Sequence, residues 1–365
     1  MAKVFILVAC SYLAGNIYIY IRGLQLFQSS SAIIKWIYSS VFWLCALSIV
    51  LMLFLRNTRL SALPVSHLLF ECSSGWLVFT LYMGLLLLAF ECLRVFNITT
   101  PYTFIIALSL TIGILIRGFE NYQHPVTKVI NIDFNKPSTS LPASFKIVAV
   151  SDIHLGMGTS KRLLQKYIQM IQSQQPDLIL IGGDLVDNSI LSVMHRHFET
   201  DLSQLHAPYG VYMVPGNHEY ISGITDCIRY IGQTPVRLLR DSTVTLPNGV
   251  QIVGRDDRSN PARKTLPQLL KGINHEYPVI VIDHQPNNLS EPVDAGIDLL
   301  FCGHTHRGQV WPMSWLTDRM FDISYGYEKR INTNIYVSSG LSIWGPPFRI
   351  GTQSEMIVFN ISFGK

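Results

Sequence analysis

Residues 145–156 read FKIVAVSDIHLG, an apolar run that ends abruptly in two polar side chains, Asp152 and His154. The run is rich in β-branched residues, which predicts a buried strand over Lys146–Val150. Side chains two residues apart on an extended chain point to the same side. We therefore expect Asp152 and His154 to project together from the carboxyl end of this strand. One such pair is more often a capping aspartate beside a surface histidine, so a functional interpretation needs partners elsewhere in the chain.

Four more predicted strands downstream also end in polar residues. These strands and the residues that follow them are Asp177–Ile181 before GGDLVD, Val211–Val214 before PGNHE, Val279–Ile282 before DHQP, and Ile297–Phe301 before CGHTH. Helical spacing of apolar residues over Lys161–Ser173 and Leu191–Leu205 indicates helices between strands, and hence an α/β fold. Because catalytic loops of layered α/β folds lie at the carboxyl ends of strands, we expect the five endings to meet in one place.

The side chains at these endings are carboxylates, imidazoles and one carboxamide, without a thiolate. The candidate metal ligands are Asp152, His154, Asp184, Asn217, His284, His304 and His306. This mixture of nitrogen and oxygen donors suits Mn, Fe or Zn, and it exceeds what one ion needs. Two divalent ions about 3.5–4 Å apart that share one carboxylate would use all of these ligands. Such a pair would polarise phosphoryl oxygens and make a bridging water acidic enough to be hydroxide near neutral pH.

The motifs D-x-H, G-D-x-x-D, G-N-H-E, an isolated His and G-H-x-H, in this order, resemble those of the calcineurin-like metallophosphoesterases. The resemblance spans about residues 126–365. The segments GDLVD, GNHE, DHQP, GHTHRGQ and GLSIWGPPFRIG are most similar to the bacterial membrane-associated, YkuE-like branch of that family. The resemblance implies a four-layer α/β/β/α sandwich with a dinuclear metal site at the strand ends.

The resemblance also implies a role for each candidate side chain. The first metal would be held by Asp152, His154 and His306, the second by Asn217, His284 and His304, and both would share Asp184. His218 would protonate the leaving oxygen or stabilise charge on it, and Asp187 would orient His218.

Two positions depart from known branches of the family. Asn188 follows Asp187, where the Ser/Thr protein phosphatase branch carries an Arg, and this argues against a protein phosphatase. Arg307 stands where the YkuE-like branch usually has Gly. Two interpretations of Arg307 stay open: the guanidinium contacts a substrate phosphate, or it points to solvent.

The N-terminal part of the chain has the composition of a membrane protein. Charged residues make up 14% of the sequence, against about 25% in soluble domains, and only eight of them fall in residues 1–100. Four apolar stretches fit a membrane span of about 20 residues. They are Val4–Ile21, Trp36–Leu55, Trp76–Phe90 and Tyr102–Ile116. We expect a transmembrane helical domain over residues 1–120 and a metallophosphoesterase domain over residues 126–365.

The distribution of basic residues predicts the orientation in the membrane. With four helices, one side carries Lys3, Arg56, Arg59, Arg117 and Lys128, and the other carries Arg22, Lys35 and Arg94. The excess favours the cytoplasm for the catalytic domain, at a bacterial inner membrane. A net charge of +4 without a basic block gives no indication of nucleic-acid binding.

These features together predict a two-metal phosphoesterase that cleaves a phosphodiester or pyrophosphate bond by attack of a metal-bridging hydroxide. A lipid head group is the favoured substrate, since one helix already suffices as an anchor. The alternatives are the same chemistry on soluble nucleotides, and a non-catalytic metal-binding scaffold, against which the intact ligand set argues. Residues 310–316 (VWPMSWL) would line an acyl-chain groove, enter the bilayer surface or fold over their own core. The sequence does not fix the oligomeric state.

Overall fold

The structure, a computed structural model, describes residues 2–55, 58–137 and 145–364. It begins with four long helices, α1 (Ala2–Leu24), α2 (Ala32–Leu55), α3 (Pro64–Val95) and α4 (Thr103–Gln123). Each is long and apolar enough to cross a membrane, which confirms the predicted number of apolar helices. A small shared core forms around Phe42 of α2 and Met83 of α3, while many other apolar side chains face outward, as lipid-facing residues do.

Helix α3 is longer than a membrane span requires. Its 32 residues extend over about 48 Å, whereas the hydrocarbon core of a bilayer is about 30 Å thick. The predicted span Trp76–Phe90 occupies the second half of α3. The first half, from Pro64 to Gly75, precedes that predicted span, and Phe70 in it packs against Gly158 of the catalytic part.

Twelve strands follow within the described residues, in two six-stranded sheets. In spatial order the first sheet contains β1 (Val126–Pro137), β12 (Glu355–Gly364), β2 (Phe145–Val150), β3 (Leu178–Ile181), β4 (Val211–Met213) and β5 (Val236–Leu238). The second contains β10 (Gly326–Arg330), β11 (Thr333–Val337), β9 (Leu299–Cys302), β8 (Val279–Ile282), β7 (Gln251–Gly254) and β6 (Ser242–Thr245).

The two sheets face each other across an apolar core. Ile147 and Leu180 of the first sheet meet Ile282 and Phe301 of the second in this layer. Alternate residues of the same strands, such as Val148, point to the opposite face and are equally buried. Because both faces are covered, the central strands read as continuous apolar runs.

Helices cover the outer faces of both sheets. The first sheet is covered by α5 (Lys161–Ser173), α6 (Ile190–His195), α7 (Phe198–Leu202) and α9 (Ile224–Ile231). The second sheet is covered by α10 (Leu266–Leu269) and α11 (Ser290–Asp294). Two further short helices, α8 (Asn217–Ile221) and α12 (Met313–Met320), lie on the connections after β4 and β9. The predicted four-layer α/β/β/α sandwich is confirmed.

The predicted single helix over Leu191–Leu205 is wrong. The segment forms α6 and α7, separated by Arg196 and His197, and the φ of His197, 54°, lies in the left-handed region. A left-handed residue interrupts the i to i−4 hydrogen-bond ladder, so one helix cannot continue through it. Apolar spacing alone does not reveal this break.

The carboxyl ends of five strands lie at one edge of the sandwich. In the first sheet β2, β3 and β4 run parallel, and in the second β8 and β9 do. The loops that follow these strands contain all of the predicted ligands. The strand directions thus bring the five endings together.

The same edge of the sandwich packs against the N-terminal helices. The backbone N–H of Arg349 donates to the carbonyl of Gly118 in α4 at 2.8 Å. The hydroxyl of Tyr82 in α3 donates to the carbonyl of Trp311 at 2.6 Å. The loops around the candidate site therefore contact two of the four apolar helices directly.

Candidate metal centre

Three buried side chains converge at the first candidate metal position. Asp152 and His154 follow β2, and His306 follows β9. Nε2 of His306 lies 3.0 Å from Nε2 of His154 and 3.5 Å from Oδ1 of Asp152. The ligand atoms of the three side chains all lie within 4.8 Å of one another. Two imidazole nitrogens this close to a carboxylate form a set of donors that fits one divalent cation.

A second set lies on the other side of the site. Oδ1 of Asn217 is 2.9 Å from Nδ1 of His304 and 3.2 Å from Nε2 of His284. Nε2 of His284 also lies 3.1 Å from Oδ2 of Asp184. Nδ1 of His284 is 2.8 Å from the carbonyl of Gly182, a contact that fixes the ring and leaves Nε2 facing the site.

Asp184 lies between the two sets. Its Oδ2 atom is 3.8 Å from Nε2 of His154 in the first set and 3.1 Å from Nε2 of His284 in the second. Its Oδ1 atom accepts a hydrogen bond from the backbone N–H of His218 at 2.8 Å. Burial would raise the pKa of Asp184, but the nearby His284 and His154 lower it overall. The structure thus places this carboxylate where a shared ligand would stand.

The prediction that strand alternation points Asp152 and His154 to the same side is wrong. Both residues lie beyond the end of β2, and the backbone turns there instead of continuing extended. Five of the seven candidate ligands have a positive φ, namely Asp152 (54°), His154 (49°), Asp184 (51°), His304 (74°) and His306 (46°). Non-glycine residues rarely adopt this conformation, and it persists where the surroundings impose it, often at functional sites. Tight turns, not strand alternation, bring these side chains together.

Glu219 is a buried residue of the site that sequence reasoning did not single out. Its carboxylate accepts hydrogen bonds from the backbone N–H groups of Asp184 at 3.1 Å, Val186 at 2.8 Å and Gly216 at 2.7 Å. Burial and the charge of Asp184 raise the pKa of Glu219 to about 7. Glu219 holds the loop after β3 against the loop after β4. Its position at the end of the GNHE motif, directly after Asn217 and His218, could have indicated it.

His218 and Asp187 lie beside the first set. Oδ1 of Asp187 is 3.3 Å from Nδ1 of His218 and 3.5 Å from Nδ1 of His154. Burial would raise the pKa of Asp187, but the two imidazoles lower it to about 2. Burial would lower the pKa of His218, but Asp187 and Asp184 raise it. This placement allows His218 to carry a proton, and the assignment of Asp187 to orienting His218 stays a prediction.

Arg307 is half-buried and does not simply point to solvent. Its guanidinium carbon lies 4.8 Å from the centre of the Tyr325 ring, at a distance typical of a cation–π contact. Contact between Arg307 and a substrate phosphate stays a prediction.

A cavity of about 480 Å³ opens onto these side chains. Its polar lining includes Asp184, Asn217, His218, His304 and His306. Ile221 and Trp344 also line it, and they are 59% and 53% exposed. A substrate in this cavity would therefore meet both the candidate ligands and an apolar rim.

Comparisons with known proteins identify the family. Residues 145–308 match the family described as Calcineurin-like phosphoesterase. An uncharacterized metallophosphoesterase of Helicobacter pylori is 32% identical over 252 residues. This match covers 67% of this chain and 66% of that protein, just under two thirds of its length. One of Campylobacter jejuni is 27% identical over 365 residues, 95% of each. YkuE of Bacillus subtilis is 28% identical over 258 residues, 67% of this chain and 89% of YkuE.

Residues 145–308 form a calcineurin-like phosphoesterase domain, and the predicted resemblance to metallophosphoesterases such as YkuE is confirmed. Its clusters of His and Asp side chains are compatible with divalent metal binding. The donor set fits such ions because it combines nitrogen and oxygen ligands at short separations in a buried site. The four apolar helices indicate a membrane protein.

We expect His218→Ala to retain the metal content of the wild type and to lower kcat by about 10²–10⁴, the usual contribution of a general acid. The loss should be smaller for esters with a good leaving group such as nitrophenol, since this group hardly needs a proton. Steady-state kinetics on esters with different leaving groups would measure this. His206→Ala, at an exposed position, is the control. An equal loss for good and poor leaving groups would contradict the acid role.

Proposed function

We propose that this protein is a phosphoesterase that depends on two divalent ions and hydrolyses a phosphodiester or pyrophosphate bond in a membrane lipid head group. The observation that carries the proposal is the position of the candidate cavity beside the membrane helices. The segment 344–351 lines the cavity through Trp344, and it also packs on α3 and α4. A lipid head group would reach such a cavity without leaving the bilayer.

Phe348 and Arg349 make the contacts with the helices. Phe348 packs against Gly75 of α3, and its ring centre lies 6.5 Å from that of Phe119 in α4. The backbone N–H of Arg349 donates to the carbonyl of Gly118, the residue directly before Phe119. Gly75 lies directly before the predicted span of α3, so the wall of the cavity stands at the membrane surface.

Helix α12 supports the same placement. The carbonyl of Trp311, two residues before α12, accepts the hydrogen bond from Tyr82, which lies inside the predicted span of α3. Along α12, Trp315 and Met320 are 56% and 67% exposed, and Leu316 is exposed as well. An apolar face at this level fits the membrane interface, where Trp is favoured. Of the three placements considered for residues 310–316, this exposure favours contact with lipid over burial in a core.

The cavity has the chemistry that an amphiphile needs. Its floor carries the candidate ligands, and its rim carries the exposed side chains of Ile221 and Trp344. Specific ligand sites commonly combine an apolar lining with a few well-placed polar groups. In this arrangement the phosphoryl group meets the polar floor, and the apolar part of the lipid stays near the rim.

The residues of the chain have distinct tasks in this reaction. When bound, two divalent ions (Mn, Fe or Zn) would polarise the phosphoryl group and lower the pKa of water. The first position would be formed by Asp152, His154 and His306, the second by Asn217, His284 and His304, with Asp184 common to both. His218 donates a proton to the leaving oxygen, and Asp187 holds the imidazole of His218 in place. Glu219 fixes the backbone that carries Asp184.

We infer that the catalytic part faces the cytoplasm. The turn over Arg59–Ala62, between α2 and α3, contacts α6, so this connection lies on the catalytic side. Arg59, Arg117 and Lys128 then lie on the same side of the membrane as the catalytic part. Basic residues in excess on one side favour the cytoplasm for that side. Arg56, which also enters this count, lies outside the described residues.

A fusion experiment tests the orientation. Green fluorescent protein fused after Lys365 should fluoresce in bacterial cells, whereas alkaline phosphatase fused at the same point should stay inactive. The reverse pair of results would place the catalytic part outside the cytoplasm.

We expect the double substitution Trp311→Ser and Trp315→Ser to lower hydrolysis of a phospholipid diester in vesicles by about tenfold or more, because two interfacial anchors are lost. Hydrolysis of bis-nitrophenyl phosphate should not change, because neither side chain lines the cavity. Phosphate release and nitrophenol absorbance on the purified full chain would measure the two rates.

Ile331→Ser is the matched control for that experiment. Ile331 is also exposed, but it precedes β11, which runs parallel to β9, and so lies at the sheet edge opposite the cavity. A parallel loss on both substrates, or no loss on either, would contradict the lipid assignment. Turnover of soluble nucleotide diesters alone would favour the soluble-nucleotide alternative, and the absence of all turnover with intact metal binding would favour the scaffold.

A further inference from the structure

Arg349 is a buried cation next to the first candidate metal position. Its side chain is fully buried, and no carboxylate of the described residues lies within the 4.0 Å of an ion pair. Its guanidinium donates to the carbonyl of His306 at 2.9 Å and to the carbonyls of Ser339 and Ser342. Nε donates to the hydroxyl of Ser354 at 3.2 Å. Arg349 therefore joins the loop that contains His306 to the segment that contains Ser339 and Ser342.

A guanidinium in this position is costly for the fold. Removing a charge from water is unfavourable even when it is well hydrogen-bonded, and the more distant charges of Asp152 and Glu355 offset only part of this cost. Burial accordingly lowers the pKa of Arg349 to about 10. An apolar side chain would fill the same volume without this cost, but it could not donate to several carbonyls. The role of Arg349 is therefore to hydrogen-bond these backbone carbonyls.

The segments that Arg349 joins either carry or contact ligands of the first position. One is the loop with His306, whose ring nitrogen Nδ1 also lies 3.4 Å from the guanidinium. The other is the segment around Ser342, whose N–H donates to the carbonyl of Asp152 at 3.2 Å. Displacing Arg349 would therefore loosen the turns that hold both Asp152 and His306.

The backbone of Arg349 is held by helix α4. Its N–H donates to the carbonyl of Gly118 at 2.8 Å, and its carbonyl accepts from Nδ2 of Asn121 at 3.1 Å. The approach is close because Gly118 has no side chain. A Cβ atom at Gly118 would lie 2.5 Å from Cγ1 of Ile350 and 3.4 Å from Cβ of Phe348.

We propose that Arg349 is a positioning residue through which the docking of helix α4 sets the geometry of the first metal position, formed by Asp152, His154 and His306. The inference rests on the metal binding in the proposed function and goes beyond it. It makes the membrane helix part of the metal site, so that a disturbed α4 weakens binding of one ion and leaves the other bound by Asn217, His284 and His304.

Two glycines of α4 provide the test. Gly118→Ala should push the segment around Ile350 away from the helix, whereas Gly113→Ala meets no atom within 4 Å and serves as the control. Both changes improve helix propensity equally, by about 1 kcal/mol. We expect Gly118→Ala to weaken binding of one of two Mn²⁺ ions by about 10–100-fold, the usual effect of losing an outer partner of a metal ligand. Gly113→Ala should bind as the wild type does.

The measurement is Mn²⁺ titration of the purified full chain in nanodiscs, followed by calorimetry, with thermal unfolding as a check on folding. A second variant, Arg349→Lys, keeps the charge but loses the planar fork of donors, and it should weaken the same ion. Neither result depends on turnover of a substrate.

Each contrary outcome has a distinct meaning. Two ions bound with wild-type affinity in both Gly118→Ala and Arg349→Lys would overturn the inference and leave the proposed function intact. Equal weakening of both ions, together with lower thermal stability, would also overturn it, because the effect would be a general folding defect. A wild-type chain that binds no Mn²⁺ would contradict the proposed function and the inference together.

Discussion

Asp184 is a buried carboxylate held between imidazoles that come from different sheets, His154 after β2 of the first sheet and His284 after β8 of the second. A buried carboxylate needs hydrogen-bond donors or positive charge around it, because a dry site cannot solvate its charge as water does. The surrounding loops are arranged to hold it: Glu219 binds its backbone N–H, and the N–H of His218 binds its side chain. A sandwich whose two sheets end at one edge is what allows this convergence.

The sequence predicted the parts of the site that depend on local order. Apolar β-branched runs identified the central strands, and the polar residues directly after them identified the candidate ligands. The conformation of those residues was not accessible in this way. Their left-handed turns are imposed by contacts with other loops, as with Glu219, which joins the loops after β3 and β4. The break between α6 and α7 was also not predicted, because it depends on the left-handed backbone conformation of His197.

The particular contacts between the membrane helices and the site could not be predicted, because they join residues far apart in the sequence. Asn121 and the carbonyl of Arg349 are 228 residues apart in sequence, and neither position has a local pattern that reveals the other. Composition separated an apolar N-terminal part from a polar remainder, but it did not show which residues of the two parts meet. The hydrogen bonds of Arg349 and Trp311 to α4 and α3 instead give the two parts a shared boundary. Under the proposed function, this boundary places a hydrolytic cavity at the surface of the bilayer.

The most direct test of this account is anomalous X-ray diffraction from crystals of the full chain grown with Mn²⁺, recorded on both sides of the manganese absorption edge. The account predicts two anomalous peaks about 3.5–4 Å apart, one on either side of the Asp184 carboxylate. One peak should lie among Asp152, His154 and His306, and the other among Asn217, His284 and His304. A single peak, or two peaks of which only one contacts Asp184, would contradict the shared carboxylate on which the proposed function rests.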